Sequence, residues 1–348
     1  MKYTADCTMQ ENRHIPFELS DYVLRKQFTD AAARQGWLNE QRIIVAVSGG
    51  GDSLSLLMMA AKFFTGHITA LHVHHGMRGR IADEDEEYVH NFAEGLGCDF
   101  VCERVSVYSS RLKGESVEAT GRRLRHECII KTAHSLNVHT VLLGHNRDDL
   151  AETVLFNLLR GTGIRGAVGI TETTEIDGVK LCRPVLGFRR ETLRDILRVR
   201  DISWREDSTN NDEAFTRNYI RLTIMPELVR KINAEAVEHL ANFGQDMRII
   251  REREDAESIN LFTECAESEQ PLTLNLRALR RLDDREKALV IREAGRRLSL
   301  RTLSRERCED LSGLISRSGR FAFQWIDRVT LSAENGKLLF DDKRGITA

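Results

Sequence analysis

The sequence predicts an α/β fold in which a doubly wound parallel sheet precedes a smaller, mainly helical domain that ends in a β-hairpin. Two observations predict this arrangement. Short runs of β-branched residues alternate with helix-forming segments as far as residue 159, and long charged helical segments follow Pro226. Strands that alternate with helices in this way form a parallel sheet covered on both faces. We therefore expect ligands to bind at the carboxyl ends of the strands.

The elements of the sheet domain follow one another in a regular order. Short apolar, β-branched runs predict buried strands at residues 42–47, 68–73, 99–107 and 140–144. Helix-forming segments predict helices at residues 20–36, 54–64, 83–95, 116–136 and 148–159. Ser20 is suited to cap the first of these helices. Asp177-Gly178, between two short extended runs, predicts a hairpin within residues 173–185.

The C-terminal third of the chain has a different pattern. We expect charged helices and no strand from Pro226 to Arg320. Residues 321–340 then alternate apolar and polar side chains around Asn335-Gly336, which predicts a hairpin. A domain boundary is expected near residues 227–234. The chain is thus divided into an N-terminal tail and helix (1–40), the sheet domain (41–230) and a helical domain (231–348).

Composition and charge narrow the class of protein. The 348 residues are 41% hydrophobic and 30% charged, with a formal net charge of -2. Residues 277–328 contain 14 Lys and Arg against 8 Asp and Glu, a local net charge of +6. Such a segment is either a solvated surface or a site for a polyanion. Seven scattered cysteines without a Cys-x-x-Cys pair indicate a reducing compartment. No leader or apolar span is evident, so we expect a soluble, cytoplasmic protein.

A glycine-rich segment, Ser48-Gly49-Gly50-Gly51-Asp52-Ser53, joins the first predicted strand to a helix. A turn of this kind brings backbone N–H groups close to an anion, most often a phosphate, at the helix N-terminus. It is not a Walker A loop, because the lysine of that motif is missing. A carboxylate inside a phosphate cradle needs a cation, so Asp52 predicts Mg²⁺. The alternative is a glycine turn with a serine or aspartate cap.

A second polar cluster, residues 145–153, follows the fourth predicted strand. Asp148, Asp149 and Glu152 fall within about one helical turn, and Asp148 and Glu152 share one helix face. An acidic helix N-terminus that favours the helix dipole would explain this cluster without any function. Its position at the same sheet edge as the glycine-rich segment favours a site. His74, His75 and His145 also follow strands, and zinc is not expected without an acidic or cysteine partner at ligand spacing.

These motifs and their order resemble the tRNA(Ile)-lysidine synthases of bacteria and plastids, which belong to the PP-loop ATP pyrophosphatases. The resemblance is strong over residues 42–228 and loose beyond them. The matching segments are residues 48–53, 71–78, 118–125, 145–163, 183–186, 204–210, 215–221 and 225–228. The glycine-rich segment alone specifies the superfamily, and the combination of segments narrows it to this family.

The resemblance implies a two-step ligase reaction. ATP adenylates the C2 oxygen of the wobble cytidine of tRNA(Ile) with a CAU anticodon, and free lysine then displaces AMP to leave lysidine. ATP, Mg²⁺, this tRNA and lysine are the expected cofactors and partners, with no membrane, and a homodimer is compatible with the sequence. Residues 41–230 would be the PP-loop ATP-binding catalytic domain, and residues 231–348 would contact the tRNA.

The resemblance also implies roles for individual residues. Catalysis would fall to Asp52, Asp148, Asp149 and Glu152. ATP would be bound by Ser48, Gly49, Gly50, Gly51, Asp52, Ser53, His74 and Arg122, with Mg²⁺ on Asp52. The tRNA or lysine would contact Arg125, His145, Asp207, Asn210, Arg217, Asn218 and Arg221. Arg122 and Arg125 could equally be a surface pair, and Arg217 and Arg221 could instead hold a loop in place.

The sequence departs from the family at several positions and leaves other functions open. Asn146, Arg147 and Leu150 stand where His, Ala and Gln are common, while Gly121 and His126 replace Ala and Tyr. All the carboxylates are present, which favours an active enzyme over an inactive nucleotide-binding or RNA-binding module. The lack of paired cysteines disfavours tRNA thiolation. An amidotransferase-type synthetase would need a separate glutaminase.

Overall fold

A computed structural model describes residues 22–76, 79–206, 215–317, 319–325 and 329–342. The chain divides into two compact units, Met1–Asp246 and Met247–Ala348, each of which is described by itself. Over the described ranges, no helix combines the length and the apolar character that a membrane crossing requires. The functional division at residues 40 and 230 stays a prediction, and Ser20 lies outside the described residues.

The first unit contains a six-stranded sheet and the helices that cover it. The strands are β1 (Arg42–Ala46), β2 (His67–His74), β3 (Asp99–Arg104), β4 (Thr140–Leu142), β5 (Thr173–Ile176) and β6 (Val179–Cys182). The helices are α1 (Tyr22–Gln35), α2 (Gly51–Phe63), α3 (Arg80–Gly95), α4 (Val117–Ser135), α5 (Arg147–Leu159), α6 (Ile164–Ala167), α7 (Arg190–Arg198), α8 (Thr216–Tyr219) and α9 (Met225–Lys231). A 3-10 turn spans Trp37–Asn39 and a π-helical turn spans Ile220–Ile224. The next helix, α10 (Ala236–Cys265), begins in this unit and ends in the second.

The sheet confirms the predicted doubly wound parallel fold. Its order is β3-β2-β1-β4-β6-β5, and only β5 runs antiparallel to its neighbour. Ile43, Ile44 and Val45 of β1 are fully buried, because side chains from both faces of the strand enter hydrophobic clusters. The predicted hairpin at Asp177-Gly178 is present, and its second strand also extends the parallel sheet beyond β4.

The strand order determines where a ligand site can form. After β1 the chain moves outward through β2 to β3, and it then returns to place β4 on the other side of β1. The loops that follow β1 and β4 therefore diverge and leave a crevice between them at the carboxyl edge, which is the usual ligand position in such sheets. The glycine-rich segment follows β1, and residues 143–149 follow β4. The fold brings the two predicted polar clusters to one crevice.

Gly144 lies where these two loops meet. A Cβ atom at this position would lie 3.2 Å from both the Cα and the backbone N of Ser53. Both contacts are to backbone atoms of the helix start, which cannot move aside as a flexible side chain would. Gly144 therefore lets the loop after β4 lie directly against the glycine-rich segment.

We predict that Gly144→Ala destabilises the protein by roughly 1–3 kcal/mol, the usual cost of overpacking. The free energy of unfolding in denaturant measures it. Gly121→Ala is the matched control, because Gly121 lies within α4 and a Cβ atom there would meet nothing within 4 Å. Removing a helical glycine should stabilise the control by about 0.5–1 kcal/mol. Equal effects in the two variants would contradict the proposed close contact.

The second unit combines helices with an antiparallel sheet. Beyond α10 its elements are β7 (Ala266–Glu269), β8 (Leu272–Asn275), α11 (Leu276–Leu279), α12 (Asp284–Arg297), α13 (Arg305–Ser316), β9 (Ala322–Gln324), β10 (Val329–Glu334) and β11 (Lys337–Asp342). The sheet order is β7-β8-β11-β10-β9. The predicted hairpin at Asn335-Gly336 is confirmed, and both residues have the positive φ that its tight turn requires.

One expectation for this region was wrong. Strands β7 and β8 form a hairpin where only helices were expected before Arg320. Each of the two strands has four residues, too few for a clear alternation of apolar and polar side chains. The hairpin of β10 and β11 decides their conformation, because β8 pairs with β11 and buries Leu272 and Leu274 in the core.

Candidate active site

A cavity of about 600 Å³ opens at the carboxyl edge of β1, β2 and β4. Residues from the glycine-rich segment, the ends of β2 and β4, and α4, α5 and α7 line it. The predicted site residues on its wall are Ser48, Gly50, Gly51, Asp52, Ser53, His74, Arg125, His145, Asp149 and Arg221. Other predicted residues lie off its wall, namely Gly49, Arg122, Asp148, Glu152, Arg217 and Asn218. Asp207 and Asn210 fall outside the described residues.

The second half of the glycine-rich segment forms the start of helix α2. Helix α2 begins at Gly51, three residues before the predicted start, and no described side chain caps its first turn. The serine or aspartate cap considered above is therefore not formed. Instead, the Ser53 hydroxyl donates to the Gly50 carbonyl at 2.9 Å and accepts from the Ser48 amide at 3.1 Å. Uncapped N–H groups at a helix N-terminus are suited to bind a phosphate.

Gly49 has a left-handed backbone that explains why glycine occupies this position. Its φ is +89°, and a Cβ atom would lie 3.3 Å from the Val89 side chain. Its carbonyl accepts a hydrogen bond from the Arg205 amide at 2.9 Å. The carbonyl of this residue is thus directed to Arg205, while Gly50 and Gly51 line the cavity.

Residues at the start of the matching segment 204–210 cover the glycine-rich segment, a contact that the sequence did not predict. Residues 203–206 lie against it, with Trp204 carbons 3.5 Å from the position of a Cβ atom on Gly51. The Arg194 guanidinium lies 5.6 Å from the centre of the Trp204 ring, and the Tyr88 hydroxyl donates to the Ser203 carbonyl. Two helices, α3 and α7, therefore hold this segment over the loop.

Asp52 has the properties of a cation ligand. Its Oδ1 atom is buried and forms no hydrogen bond with any described residue, while Oδ2 lies 3.9 Å from Arg190 Nε. Burial, and next the charge of Asp149, raise the pKa of Asp52 to about 7, against the opposing charges of Arg190 and Arg194. A buried carboxylate oxygen without a partner fits a hard cation such as Mg²⁺. The residues present therefore fit the magnesium ion that the sequence predicted.

The fold separates the three acidic residues of α5. Asp148 accepts hydrogen bonds from Arg189 at 3.1 and 3.2 Å and from the Arg190 amide at 2.8 Å, so it binds the start of α7. Asp149 lines the cavity and also forms a capping box with Asn146. Glu152 is 3% exposed and lies off the cavity wall. Only Asp149 of the three faces the space where a substrate would bind.

Arg190 is the residue that sequence reasoning missed. Its Nη2 atom donates to Asp149 at 3.0 Å and to Glu152 at 2.9 Å, and its Nε atom is the group near Asp52. One guanidinium thus lies among carboxylates of α2 and α5. Two arginines at the start of α7 oppose the helix dipole. No helix was predicted at residues 190–198, so this unfavourable placement could be recognised only once the structure had located α7.

The buried carboxylates differ in the direction of their pKa shifts. Burial alone would raise the pKa of Asp149, but the charges of Arg190 and His145 outweigh it and hold that pKa below the ordinary value. Burial raises the pKa of Glu152 despite the opposing charge of Arg190. Burial also lowers the pKa of His145 to about 4. At neutral pH the cavity therefore combines an ionised Asp149 with a neutral His145.

His74 lines the cavity and lies beside a network of ion pairs. Its Nδ1 atom accepts from the Gly76 amide at 3.2 Å, so the neutral ring carries its proton on Nε2, which lies 3.3 Å from Asp83. Asp83 and Glu86 also bind Arg104. The fold thus supplies the acidic partners that sequence spacing did not indicate. A proton on Nε2 disfavours that atom as a metal ligand.

Of the four predicted arginines, two line the cavity and two do not. Arg122 and Arg125 are both exposed on α4, and only Arg125 reaches the cavity. Arg217 is half-buried and its Nη2 atom lies 3.5 Å from the Thr153 hydroxyl of α5, while Arg221 lines the cavity. Asn218 is half-buried on α8. The structure therefore brings Arg125 and Arg221, but not Arg122, to the site.

The departures in residues 145–150 have structural explanations. Asn146 is fully buried and caps α5 through the Asp149 amide at 2.9 Å. Arg147 binds two residues of α10, donating to Asn242 at 2.6 Å and to Glu238. Leu150 is 1% exposed and packs in a core cluster with α9 and α10. These three residues connect α5 to its surroundings without removing a carboxylate from the cavity.

The parallel sheet, the uncapped glycine-rich helix start and the crevice beside β4 define a nucleotide-binding α/β protein. Comparison with protein-family models extends this conclusion, since a PP-loop domain model matches residues 21–228. The chain belongs to the PP-loop family. That membership supports ATP as the nucleotide.

Curated relatives match the same region. The chain is 39% identical over 207 residues to a tRNA(Ile)-lysidine synthase of Solibacter usitatus, which covers 60% of this chain and 45% of the relative. It is 36% identical over 252 residues to that of Thermus thermophilus, with coverages of 69% and 48%. A third, from Clostridium acetobutylicum, is 36% identical over 208 residues, with coverages of 59% and 44%. The chain spans about half the length of the curated relatives it matches.

A comparison with solved structures supports the fold. The U34-tRNA thiolase NcsA of Methanococcus maripaludis, solved with its [4Fe-4S] cluster, gives a TM-score of 0.54 at 14% identity. The match covers 64% of this chain and 77% of the thiolase. At this identity the likeness concerns the fold alone.

Proposed function

We propose that the protein is an ATP-dependent ligase that adenylates the wobble cytidine of tRNA(Ile) with a CAU anticodon and joins lysine to it. One observation carries the proposal: the uncapped glycine-rich helix start and the ionised Asp149 line the same cavity. A phosphate site and a carboxylate that binds an ammonium group would thus share one cavity. The similarity to tRNA(Ile)-lysidine synthases supports the choice of substrates.

In the first step, the C2 oxygen of the cytidine attacks the α-phosphorus of ATP and pyrophosphate leaves. The amides at the start of α2 would hold the leaving pyrophosphate. Asp52 would hold Mg²⁺, which when bound neutralises phosphate charge. Arg125 and Arg221 on the cavity wall would add positive charge near the nucleotide or the tRNA.

In the second step, the side-chain nitrogen of lysine attacks C2 and AMP leaves with the oxygen. Asp149 would place the lysine ammonium before that nitrogen loses its proton. The neutral His145 lines the same cavity and adds no positive charge that would repel the ammonium. Arg190 would hold Asp149 in position through its 3.0 Å hydrogen bond.

The cysteines favour this reaction over tRNA thiolation. Within the described residues, five cysteines are buried, Cys102 is half-buried, and none of them lines the cavity. A thiolation site would need an accessible cysteine or iron–sulfur ligands beside the nucleotide. Cys7 lies outside the described residues. The homodimer and the cytoplasmic location stay predictions.

The test is an assay of product and specificity. We expect purified protein with ATP, Mg²⁺, lysine and tRNA(Ile) transcript to form lysidine, detected by mass spectrometry, and to release AMP and pyrophosphate. A transcript whose wobble cytidine is replaced by uridine is the control and should give no product. Equal turnover on any tRNA, independent of lysine, would refute the proposal.

For tRNA contact we propose the exposed arginines of residues 277–328 whose side chains form neither an ion pair nor a hydrogen bond with a described residue. They are Arg277, Arg281, Arg301, Arg317 and Arg320. The backbones of Arg281 and Arg317 lie close together, because Arg280, the neighbour of Arg281, donates to the Ile315 and Arg317 carbonyls at 2.9 and 2.8 Å. Free guanidinium groups are suited to bind the phosphates of a polyanion.

We predict that replacing Arg277, Arg281 and Arg317 together by Glu weakens tRNA binding at least ~10-fold. The slope of log K against log salt concentration should fall by about 2–3, the loss of about 2–3 phosphate contacts. Filter binding across a salt series measures both quantities. The matched control is reversal of Arg285 and Arg305, which already pair with Glu257 and Glu309 at 2.7 and 2.8 Å. Equal losses in the two variants would refute a specific contact surface.

A further inference from the structure

An alternating chain of charges connects α10 to the cavity. Glu238, in the first turn of α10, accepts hydrogen bonds from Arg147 and from Arg189, the latter at 3.5 Å. Arg189 in turn donates twice to Asp148, at 3.1 and 3.2 Å. The Arg190 amide donates to the same carboxylate at 2.8 Å. Each link is a charge-assisted hydrogen bond between different elements.

The two arginines bound by Glu238 occupy unfavourable positions. Arg147 is the first residue of α5, and Arg189 is the N-cap of α7. A positive charge at a helix N-terminus is repelled by the helix dipole, and two such charges also repel each other. Glu238 compensates for both. The Arg147 side chain is only 11% exposed, so water screens this arrangement weakly.

The geometry of α5 and α7 determines where Arg190 lies. The Arg147 amide donates to the Phe188 carbonyl at 2.8 Å, which joins the backbones at the two helix starts. Arg190 is the first residue of α7, two positions after Phe188, and its side chain donates to Asp149 and Glu152. A small change in the relative position of α5 and α7 would move this guanidinium away from Asp149.

We propose that Glu238 is a positioning residue: through Arg147 and Arg189 it fixes the starts of α5 and α7, and so places Arg190 among the cavity carboxylates. The effect on turnover rests on the proposed ligase function, whereas the effect on the helix starts does not. Glu238 lies outside the cavity lining and touches no reacting group. Its contribution would therefore appear in kcat rather than in the affinity for ATP.

The experiment is Glu238→Gln, which keeps the shape of the side chain and removes its charge. We expect kcat for lysidine formation to fall roughly tenfold, with KM for ATP changed less than about twofold, because misplacing a catalytic constellation mainly slows chemistry. We also expect hydrogen exchange of the Arg190 amide, followed at residue resolution in the substrate-free protein, to accelerate about tenfold. Glu252→Gln is the matched control, since Glu252 is on the same helix in an exposed pair with Arg248.

The outcomes separate the inference from the function it rests on. Wild-type kcat and wild-type amide exchange in Glu238→Gln would overturn the positioning role. If the unmodified protein makes no lysidine, the proposed function has failed, and the exchange measurement alone decides on Glu238. Should Glu238→Gln not fold, Glu238→Asp replaces it. That variant keeps the charge but shortens the side chain that reaches Arg147 and Arg189, and unchanged exchange at Arg190 in it would likewise overturn the proposal.

Discussion

Replacing Asp52 by Asn is expected to lower AMP and pyrophosphate release about a thousandfold, which corresponds to roughly 4 kcal/mol of transition-state stabilisation. The variant keeps the size of the side chain but loses the charge that would hold Mg²⁺. The buried Oδ1 atom, which forms no hydrogen bond with a described residue, is the structural basis of this expectation. Binding of tRNA, measured separately, should stay within about twofold of the unmodified protein, since the proposed contacts to tRNA phosphates come from arginines of the second unit and not from Asp52.

Asp195→Asn is the matched control for this experiment. Asp195 lies on α7 in the same unit, but its side chain is 59% exposed and pairs with Arg198 rather than facing the cavity. Its replacement should leave AMP release unchanged, because an exposed ion pair contributes little. Wild-type rates in Asp52→Asn would remove Asp52 from the mechanism. Restoration of those rates by excess Mg²⁺ would show a role in metal affinity alone.

A second large effect is expected for Asp149→Asn. The amide oxygen of Asn can still accept from the Asn146 backbone, so the capping box at the start of α5 should persist. The charge facing the cavity is lost, together with the ion pair to Arg190. We expect kcat/KM for lysine to fall about a hundredfold, or about 3 kcal/mol, because an ammonium loses its carboxylate partner in a partly desolvated site.

The neighbouring residue supplies the comparison. Asp148→Asn removes the same charge one position earlier, but this carboxylate binds Arg189 and the Arg190 amide rather than facing the cavity. We expect Asp148→Asn to cost roughly 1–3 kcal/mol of stability and to slow turnover moderately. Its KM for lysine should stay within about twofold of the unmodified protein. A KM for lysine that rises equally in both variants would contradict the assignment of Asp149 to lysine.

Much of the fold was predictable because its signals are local. The strands at residues 42–47 and 68–73, the helix between them, and the Asn335-Gly336 hairpin all depend on propensities and patterns within a few residues. Strands β7 and β8 were missed because each is too short to have its own pattern. They are strands because β11, more than 60 residues further along, pairs with β8.

The candidate site was predictable to the level of its loops. The glycine-rich segment and the acidic cluster at residues 148–152 each follow a strand, and the sheet order places both at one crevice. Their individual roles were not predictable. Three neighbouring carboxylates look alike in the sequence, whereas in the fold Asp148 binds α7, Asp149 faces the cavity and Glu152 is buried.

The sequence by itself determined the class of fold and the position of the glycine-rich segment, and it predicted a cation at Asp52. These depend on residue types in a short, contiguous segment. The tertiary structure alone decided that Arg190 lies among Asp52, Asp149 and Glu152, and that Trp204 covers the loop. The physical reason is that these partners are some 40 to 150 residues apart in the sequence. Only the order of the strands and the packing of α5, α7 and α10 bring them together.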